Sequence, residues 1–189
     1  MSKSQEALAE NGWAKEEVIE RPVLILEKQL LDTLELCWYV QQARIRTNSA
    51  APMKVHVLFE GMVHELQVFS ERIRSRLDSW RKEPHVFAMK TRAYSRLFSA
   101  DSLDVHEQLE SLLCGYAHYA RQTSEAIASL QQLGDLESLE LLATVFQAAE
   151  RCLWFLEIYM EGLAFNTDCS RLPDWPAIGQ TSQSLPLDV

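Results

Sequence analysis

The sequence predicts an all-α protein, an up-down four-helix bundle with a long connection between its second and third helices. Apolar residues recur at helical spacing through most of the 189-residue chain, and only six glycines and six prolines interrupt the pattern. No segment alternates polar and apolar residues over the length of a strand, and no internal repeat competes with the helical pattern. We therefore expect four long helices and one short one.

The first two helices are predicted between prolines. The first begins after Pro22, which is tolerated in an opening turn, and its apolar stripe over Val23–Trp38 fades into the polar residues 47–49. The second begins near Pro52 and ends before Pro84, because proline cannot continue a helix. Its apolar stripe predicts the buried face, which consists of Val55, Leu58, Phe59, Met62, Leu66, Phe69, Ile73 and Leu77.

A long connection precedes the third helix. Within residues 84–100 the pattern predicts one short helix, Thr91–Phe98. The third long helix is expected to begin at a capping residue, either Asp101 or Ser102, and to end at Leu133–Gly134. A connection of this length can cross the bundle from one end to the other.

The fourth helix is predicted from Asp135 to about Phe165. The residues that follow contain three prolines and no periodicity, so we expect them to be irregular. The predicted organisation is an N-terminal extension over residues 1–21, a bundle over residues 22–165 and a C-terminal tail over residues 166–189.

The charge balance limits the classes of partner. Lysine and arginine total 18 against 27 aspartates and glutamates, which gives a net charge of −9. Such a surface repels nucleic acid and anionic membranes. The apolar runs are too short to span a membrane, and the N-terminus lacks the apolar core of a signal peptide. We expect a cytoplasmic protein without membrane contact.

The four cysteines are widely spaced and form no CxxC pair. Cys37, Cys114, Cys152 and Cys169 lie mostly in apolar helical surroundings. This pattern predicts reduced core residues rather than disulfides or zinc ligands.

The second helix carries a candidate metal site. His56 and Glu60 are four residues apart, so they share one face of the helix, and the carboxylate of Glu71 follows on the same helix. His64 lies four residues after Glu60, close to that face. A mixed nitrogen and oxygen donor set suits Fe(II). The alternative is an exposed His–Glu pair of the kind that occurs by chance on many helices.

From about Leu24 to Phe165 the sequence resembles the Dps-type miniferritins, which are ferritin-like four-helix bundles with a short helix in the middle connection. The resemblance lies in Cys37-Trp38, in the stretch from His56 through Glu60 to Glu71, and in the stretch from Gly134-Asp135 to Glu150-Arg-Cys-Leu-Trp154.

The resemblance implies a ferroxidase site between two subunits. His56 and Glu60 match the second histidine of that site and its acid, and Glu71 falls where the partner subunit supplies an aspartate. Two positions depart from the family pattern, because Cys37 replaces the first histidine and Ser75 replaces the second acid of the partner's pair. The connection between Trp38 and His56 is also longer than usual. The expected site is therefore His56, Glu60 and Glu71, with His64 as an additional candidate ligand.

Each candidate has a simpler interpretation. His64 is more simply interpreted as a partly exposed histidine beside Glu65, and Glu71 as a member of a surface ion pair with Arg72, Arg74 or Arg76. Cys37 is most simply a small buried apolar residue.

The resemblance also implies a function. A working site would oxidise Fe(II) with peroxide or oxygen and store Fe(III) mineral in a homo-oligomeric shell, in the family a dodecamer, and Zn²⁺ is an alternative occupant of the same site. Asp135 and Glu140 match acidic positions that line a threefold pore in the family, although Thr144 replaces the third acid. The alternative is that Asp135 and Glu140 are first-turn acids favoured by the helix dipole, which alone would explain Asp135.

Two other functions are retained as alternatives. The chain is also interpretable as a shell-forming structural or interaction protein whose metal site has degenerated, with Cys37 and Ser75 as the signs of that loss. A DNA-protecting protein is disfavoured because both ends are acidic, and only the basic run Arg72–Arg96 offers a positive surface.

Overall fold

Four helices make up the part of the chain that the structure, a computed structural model, describes: residues 3–47, 51–80 and 104–164. They are α1 (Lys3–Arg46), α2 (Met53–Trp80), α3 (Val105–Leu133) and α4 (Leu136–Ala164). The described residues contain no strand, and the predicted all-α four-helix fold is confirmed. The predicted short helix Thr91–Phe98 and the predicted tail from residue 166 lie outside the described residues.

Helix α1 begins earlier than the sequence predicts. It runs without interruption from Lys3, and Pro22 lies inside it rather than in its first turn. An interior proline removes one backbone hydrogen bond and disfavours a helix, which is why the prediction begins at this residue. Helix formers such as Ala7, Leu8 and Ala9 precede Pro22 and allow a helix on its N-terminal side.

Helix α3 begins later than Asp101 or Ser102, because its cap is Asp104. The Asp104 carboxylate accepts a hydrogen bond from the Val105 amide at 2.6 Å, and the Asp104 amide donates to Glu107 Oε2 at 3.0 Å. The two residues form a capping box, which satisfies amide groups that the first turn of a helix leaves unpaired.

The helices pair in a four-helix bundle, with α1 against α2, α3 against α4, and α1 against α3. Thr47, which follows α1, donates a hydrogen bond to Gln108 near the start of α3 at 3.1 Å. Helix α3 therefore starts at the end of the bundle where α1 ends and α2 begins, so α2 and α3 run parallel. The connection between α2 and α3 joins opposite ends of the bundle, as its length predicts.

The turn between α3 and α4 depends on Gly134, which adopts a left-handed conformation with φ +75°. Replacement of Gly134 by alanine should lower the free energy of unfolding by about 1 kcal/mol, since residues with a Cβ disfavour this conformation. No atom lies within 4 Å of a Cβ built at this position, so the effect would come from the backbone alone.

Urea denaturation measures this effect, and Gly115→Ala is the matched control. A Cβ at Gly115 would make an ordinary 3.5 Å contact with Leu36, inside a regular helix. That control should be neutral or stabilising. A Gly134→Ala protein as stable as the wild type would contradict the assigned role of the turn.

The core lies between the four helices, and the predicted stripe of α2 is buried in it. Its largest fully buried side chains include Tyr116, Tyr159 and Phe59. Within the described residues, the free thiols Cys37 and Cys152 are buried in the core, as predicted. Cys114 is exposed, because it lies on the outer face of α3, and the prediction of a core residue is wrong there. Cys169 lies outside the described residues. None of the helices in the described part of the chain has the length and apolarity that crossing a membrane would require.

Candidate metal site

The candidate donors lie on the outer face of α2. Met53, Val57, Glu60, His64 and Val68 follow one another at intervals of three or four residues, which places them in one stripe. All five are exposed, whereas Leu58, Phe59 and Met62 on the opposite face are fully buried. His56 is half-buried beside Val57. The structure therefore places the predicted pair His56 and Glu60 at the bundle surface, with His64 one turn further along.

These donors are available for a ligand. Within the described residues, His56, Glu60 and His64 form no hydrogen bond or ion pair with another residue. The described part of the single chain contains no group of three or more His, Cys, Asp or Glu side chains arranged to hold a metal ion. The described part of one chain thus brings together a His–Glu pair without a third donor of these types.

Glu71 cannot join His56 within one chain. The two residues are fifteen positions apart on a continuous helix, which corresponds to about 22 Å along its axis. The Glu71 carboxylate also accepts a hydrogen bond from Arg74 at 2.9 Å, in an exposed pair of the kind considered in the sequence. Within the described chain Glu71 is therefore paired with Arg74 and does not reach His56.

Cys37 lies in the core and not at the candidate site. Its thiol is 3.9 Å from the Val63 carbonyl oxygen, and Gln41 Nε2 lies 3.7 Å from its sulfur. Burial raises the pKa of the Cys37 thiol, which disfavours the thiolate that a metal needs. The contact with Val63 places Cys37 about 10 Å along α2 from His56, nearer the level of His64. The structure does not bring Cys37 and His56 together.

The α1–α2 hairpin carries exposed apolar side chains. Trp38 is 48% exposed and Ile45 is 69% exposed on α1, while Met53 is 75% exposed and Val57 is 41% exposed on α2. A contiguous patch of exposed apolar side chains is typical of a surface that another protein covers, whereas isolated ones are common on any protein. We refer to Trp38, Ile45, Met53, Val57 and Val68 as the hairpin surface.

Asp135 forms an ion pair within the chain. The partly buried Arg76 guanidinium donates to Asp135 Oδ1 at 3.0 Å and to Ser138 Oγ at 3.0 Å, and it pairs with Glu137 at 2.6 Å. It also lies 4.4 Å from the centre of the Trp80 ring. The charge of Asp135 is therefore neutralised where it was expected to attract cations, while Glu140 remains exposed. Arg76 fixes the end of α2 to the α3–α4 turn.

Arg76 and Arg74 also account for part of the basic run Arg72–Arg96, because each is paired with an acid. Arg72 is exposed, and residues 81–96 of the run lie outside the described residues.

A buried polar cluster, which the sequence did not predict, joins three helices behind the candidate site. Glu65 of α2 pairs with Arg151 of α4 and accepts a hydrogen bond from the Cys152 thiol at 3.6 Å. Burial raises the pKa of Glu65, and Arg151 opposes that rise. Burial also raises the pKa values of Cys152 and of Tyr116, whose hydroxyl lies next to this thiol. The sequence feature that could have indicated this cluster is the carboxylate of Glu65, which falls within the apolar stripe between Met62 and Phe69.

Comparison with solved structures places this architecture among Dps proteins. A mutant of Dps1 from Mycobacterium smegmatis is 20% identical, with a TM-score of 0.67 over 76% of this chain and 97% of that one. Dps from Thermosynechococcus elongatus is 15% identical, with a TM-score of 0.67 over 78% of this chain and 94% of that one.

Dps from Vibrio cholerae O1, described as a member of a broad superfamily of ferritin-like diiron-carboxylate proteins, is 15% identical, with a TM-score of 0.64 over 76% of this chain and 91% of that one. No protein-family model and no curated protein sequence matches the chain. At these identities the similarity establishes the ferritin-like four-helix fold of the Dps proteins.

Proposed function

We propose that this chain, which has the fold of the Dps proteins, is an iron-storing miniferritin that oxidises Fe(II) and retains Fe(III) mineral in a homo-oligomeric shell. Iron is the substrate, and peroxide or oxygen is the oxidant. The proposed working environment is the cytoplasm under oxidative stress. The observation that carries the proposal is the pair of half-buried His56 and exposed Glu60, without a partner in the described chain, on the surface of a bundle of this fold.

The hairpin surface supports assembly at the same place. Its apolar residues Met53 and Val57 precede Glu60 and His64 on the outer stripe of α2, and Val68 follows them. A second copy that covered this surface would exclude water from the donors and bring its own acid toward them. In the proposed site, His56 and Glu60 come from one chain, Glu71 comes from its partner, and His64 is an additional ligand.

The chemistry follows from the donor types. The imidazole of His56 and the carboxylate of Glu60 bind Fe(II) in its preferred nitrogen and oxygen environment. The negative charge of Glu60 stabilises Fe(III) more than Fe(II), so electron loss becomes easier in the site. Each Fe(II) gives up one electron, and a peroxide molecule takes two electrons and two protons to become two water molecules. The buried Glu65–Arg151 pair holds α2 against α4 behind the donors.

A shell-forming protein without iron chemistry is the second candidate. The observations that favour it are the burial of Cys37, the pairing of Glu71 with Arg74 and the neutralisation of Asp135 by Arg76. In that case the hairpin surface still drives assembly, while His56 and Glu60 are surface residues.

Iron loading of the purified full-length chain separates the two candidates. The protein is given Fe(II) with peroxide and separated by size, and iron is measured in the fraction at the native mass. The proposal predicts many iron atoms per subunit, travelling with a large assembly. Zn²⁺, which cannot be oxidised, should slow the reaction by competing for the same donors.

A large assembly with no retained iron would support the shell-forming protein and contradict iron storage. A monomer without retained iron would contradict both. DNA retardation that falls steeply as salt rises, without iron retention, would instead indicate a DNA-protecting protein.

A further inference from the structure

A line of apolar residues runs along the outer face of α1. Its four members, which we call the α1 stripe, are seven positions apart and so recur every second turn of the helix: Leu24, Leu31, Trp38 and Ile45. The first, third and fourth of them are 62%, 48% and 69% exposed, and Leu31 is half-buried. The next position of the repeat toward the N-terminus is Glu17, so the apolar line begins at Leu24.

The connection between α2 and α3 has to cross this face of the bundle or the opposite one. It joins opposite ends of the bundle, and α2 and α3 each pack against both α1 and α4. A chain that leaves α2 and enters α3 therefore runs over the outside of either α1 or α4. Residues 81–103, which make this connection, lie outside the described residues. When extended they reach about 75 Å, whereas α2 is about 42 Å long, so the crossing leaves room for a short helix.

The sequence of the connection contains an amphipathic segment. In the short helix predicted over residues 91–98, three large apolar residues share one face: Tyr94, Leu97 and Phe98. Arg92 and Arg96 fall on the opposite face. A helix of this length is not stable alone in water, so its apolar face needs a surface to be buried against. Because the segment occupies the middle of the connection, it falls level with Leu31 and Trp38 in the middle of α1.

The outer face of α1 suits this segment better than that of α4. Among the described side chains of α4, the exposed large apolar residues are Leu136 and Trp154, at opposite halves of the helix. The other exposed side chains of α4 include five acids, which could pair with the basic residues of the connection: Glu137, Glu140, Glu150, Glu157 and Glu161. Ion pairs between exposed side chains stabilise little, whereas burial of large apolar side chains stabilises more. The apolar match therefore decides the route.

We propose that the α1 stripe is the docking surface for residues 81–103 of the same chain, with the apolar face of segment 91–98 packed against Leu31 and Trp38. The docked connection ties α2 to α3 across the outside of α1. The α2 residues of the hairpin surface stay available to a second copy of the chain. The inference rests on α1 and the connection, so it stands or fails independently of iron storage.

Photo-cross-linking from the stripe tests the proposal. The photoreactive residue p-benzoylphenylalanine replaces Trp38 in the full-length protein, and in the matched control it replaces Trp154, which is 50% exposed on α4. After irradiation, denaturing electrophoresis separates links within one chain from links between chains, and mass spectrometry identifies the linked peptide. The probe at Trp38 should link to residues 81–103 of its own chain, and the probe at Trp154 should not.

Three results of this experiment would overturn the proposal. Links from position 38 to another chain would mean that a second copy covers the stripe. Links from position 154 to residues 81–103 would mean that the connection crosses α4. Links from position 38 to residues 165–189, or no link from that position, would mean that the connection is not the segment that covers the stripe.

Trypsin digestion provides a second, independent measurement. Lys82, Lys90 and Arg92 are among the cleavage sites of the connection. Trp38→Asp should speed cleavage within residues 81–103 about tenfold, the factor expected when one large apolar side chain loses its contact, since cleavage follows the population of the undocked form. Trp154→Asp should leave the rate unchanged, and circular dichroism should show both variants to be as helical as the wild type. A wild-type rate in the Trp38 variant, or equal acceleration in the two variants, would overturn the proposal.

Discussion

Simultaneous replacement of His56 and Glu60 by alanine should reduce the initial rate of Fe(II) oxidation at least about 100-fold, because the loss of single groups that merely support a metal ligand already reduces metal-site activity by about 10- to 100-fold. Both side chains are at the surface and have no partner in the described chain, so the fold should not change. The measurement is the rate of Fe(III) formation after mixing with Fe(II) and peroxide, with native mass as the second readout. We expect the mass to remain that of the wild type.

Helix α3 offers a matched control. His106 and Glu110 have the same spacing as His56 and Glu60, and Glu110 is likewise exposed. Alanine at both positions should leave the oxidation rate unchanged. On α2 the exposed apolar residues Met53 and Val57 precede Glu60, whereas no such exposed apolar stripe surrounds the pair on α3. Wild-type rates in the α2 variant would place the chemistry elsewhere. Equal losses in the two variants would mean that exposed His–Glu pairs bind iron without a built site.

The order and type of the helices could be predicted because they depend on local pattern. On α2, the apolar stripe from Val55 to Leu77 is the face that the structure buries, and the prolines at positions 52 and 84 bracket the helix. The start of α3 could not be fixed in this way, because Asp101, Ser102 and Asp104 are all suitable caps. The Glu107 side chain decides among them, since it completes a capping box only with Asp104.

The candidate site could be predicted only as far as one helix determines it. A spacing of four residues places His56 and Glu60 on one face whatever the rest of the fold does. By contrast, the ion pairs Arg76–Asp135 and Glu65–Arg151 join residues that are 59 and 86 positions apart. Such pairs depend on how the helices pack, and helical periodicity carries no information about them. Helical periodicity likewise does not show which residue of α2 lies beside Cys37. The length of the connection between α1 and α2 determines that contact.

Replacement of Arg151 by alanine should have the largest effect on stability. Arg151 is the ionic partner of Glu65, whose side chain is only 11% exposed. Removal of one member of a buried pair leaves the other charge in the core without compensation, at a cost of about 3–5 kcal/mol. We expect about 3 kcal/mol, the lower end of that range, because the Arg151 side chain remains 24% exposed. The measurement is urea denaturation at neutral pH. A chelator is present so that no metal binds His64, which is next to Glu65.

This loss of stability should depend on pH in a defined direction. Burial already raises the pKa of Glu65 in the folded protein, and the Arg151 guanidinium restrains that rise. Without Arg151 the folded state should bind a proton at Glu65 more readily than the unfolded state does. The free energy of unfolding of the variant then increases as pH falls through the raised pKa and decreases as pH rises through it. The destabilisation relative to wild type should therefore be smaller at about pH 5 than at about pH 7.

Two further variants show whether the buried charge is the cause. Arg74→Ala breaks an ion pair whose side chains are 47% and 70% exposed, and it should cost less than about 1 kcal/mol at either pH. Methionine at both Glu65 and Arg151 removes the two charges together and should recover most of the stability that Arg151→Ala loses, since apolar replacement of a whole buried pair is often neutral. Equal destabilisation by Arg151→Ala at both pH values, without recovery in the double methionine variant, would assign the effect to lost packing of the arginine stem and leave Glu65 without an ionic role.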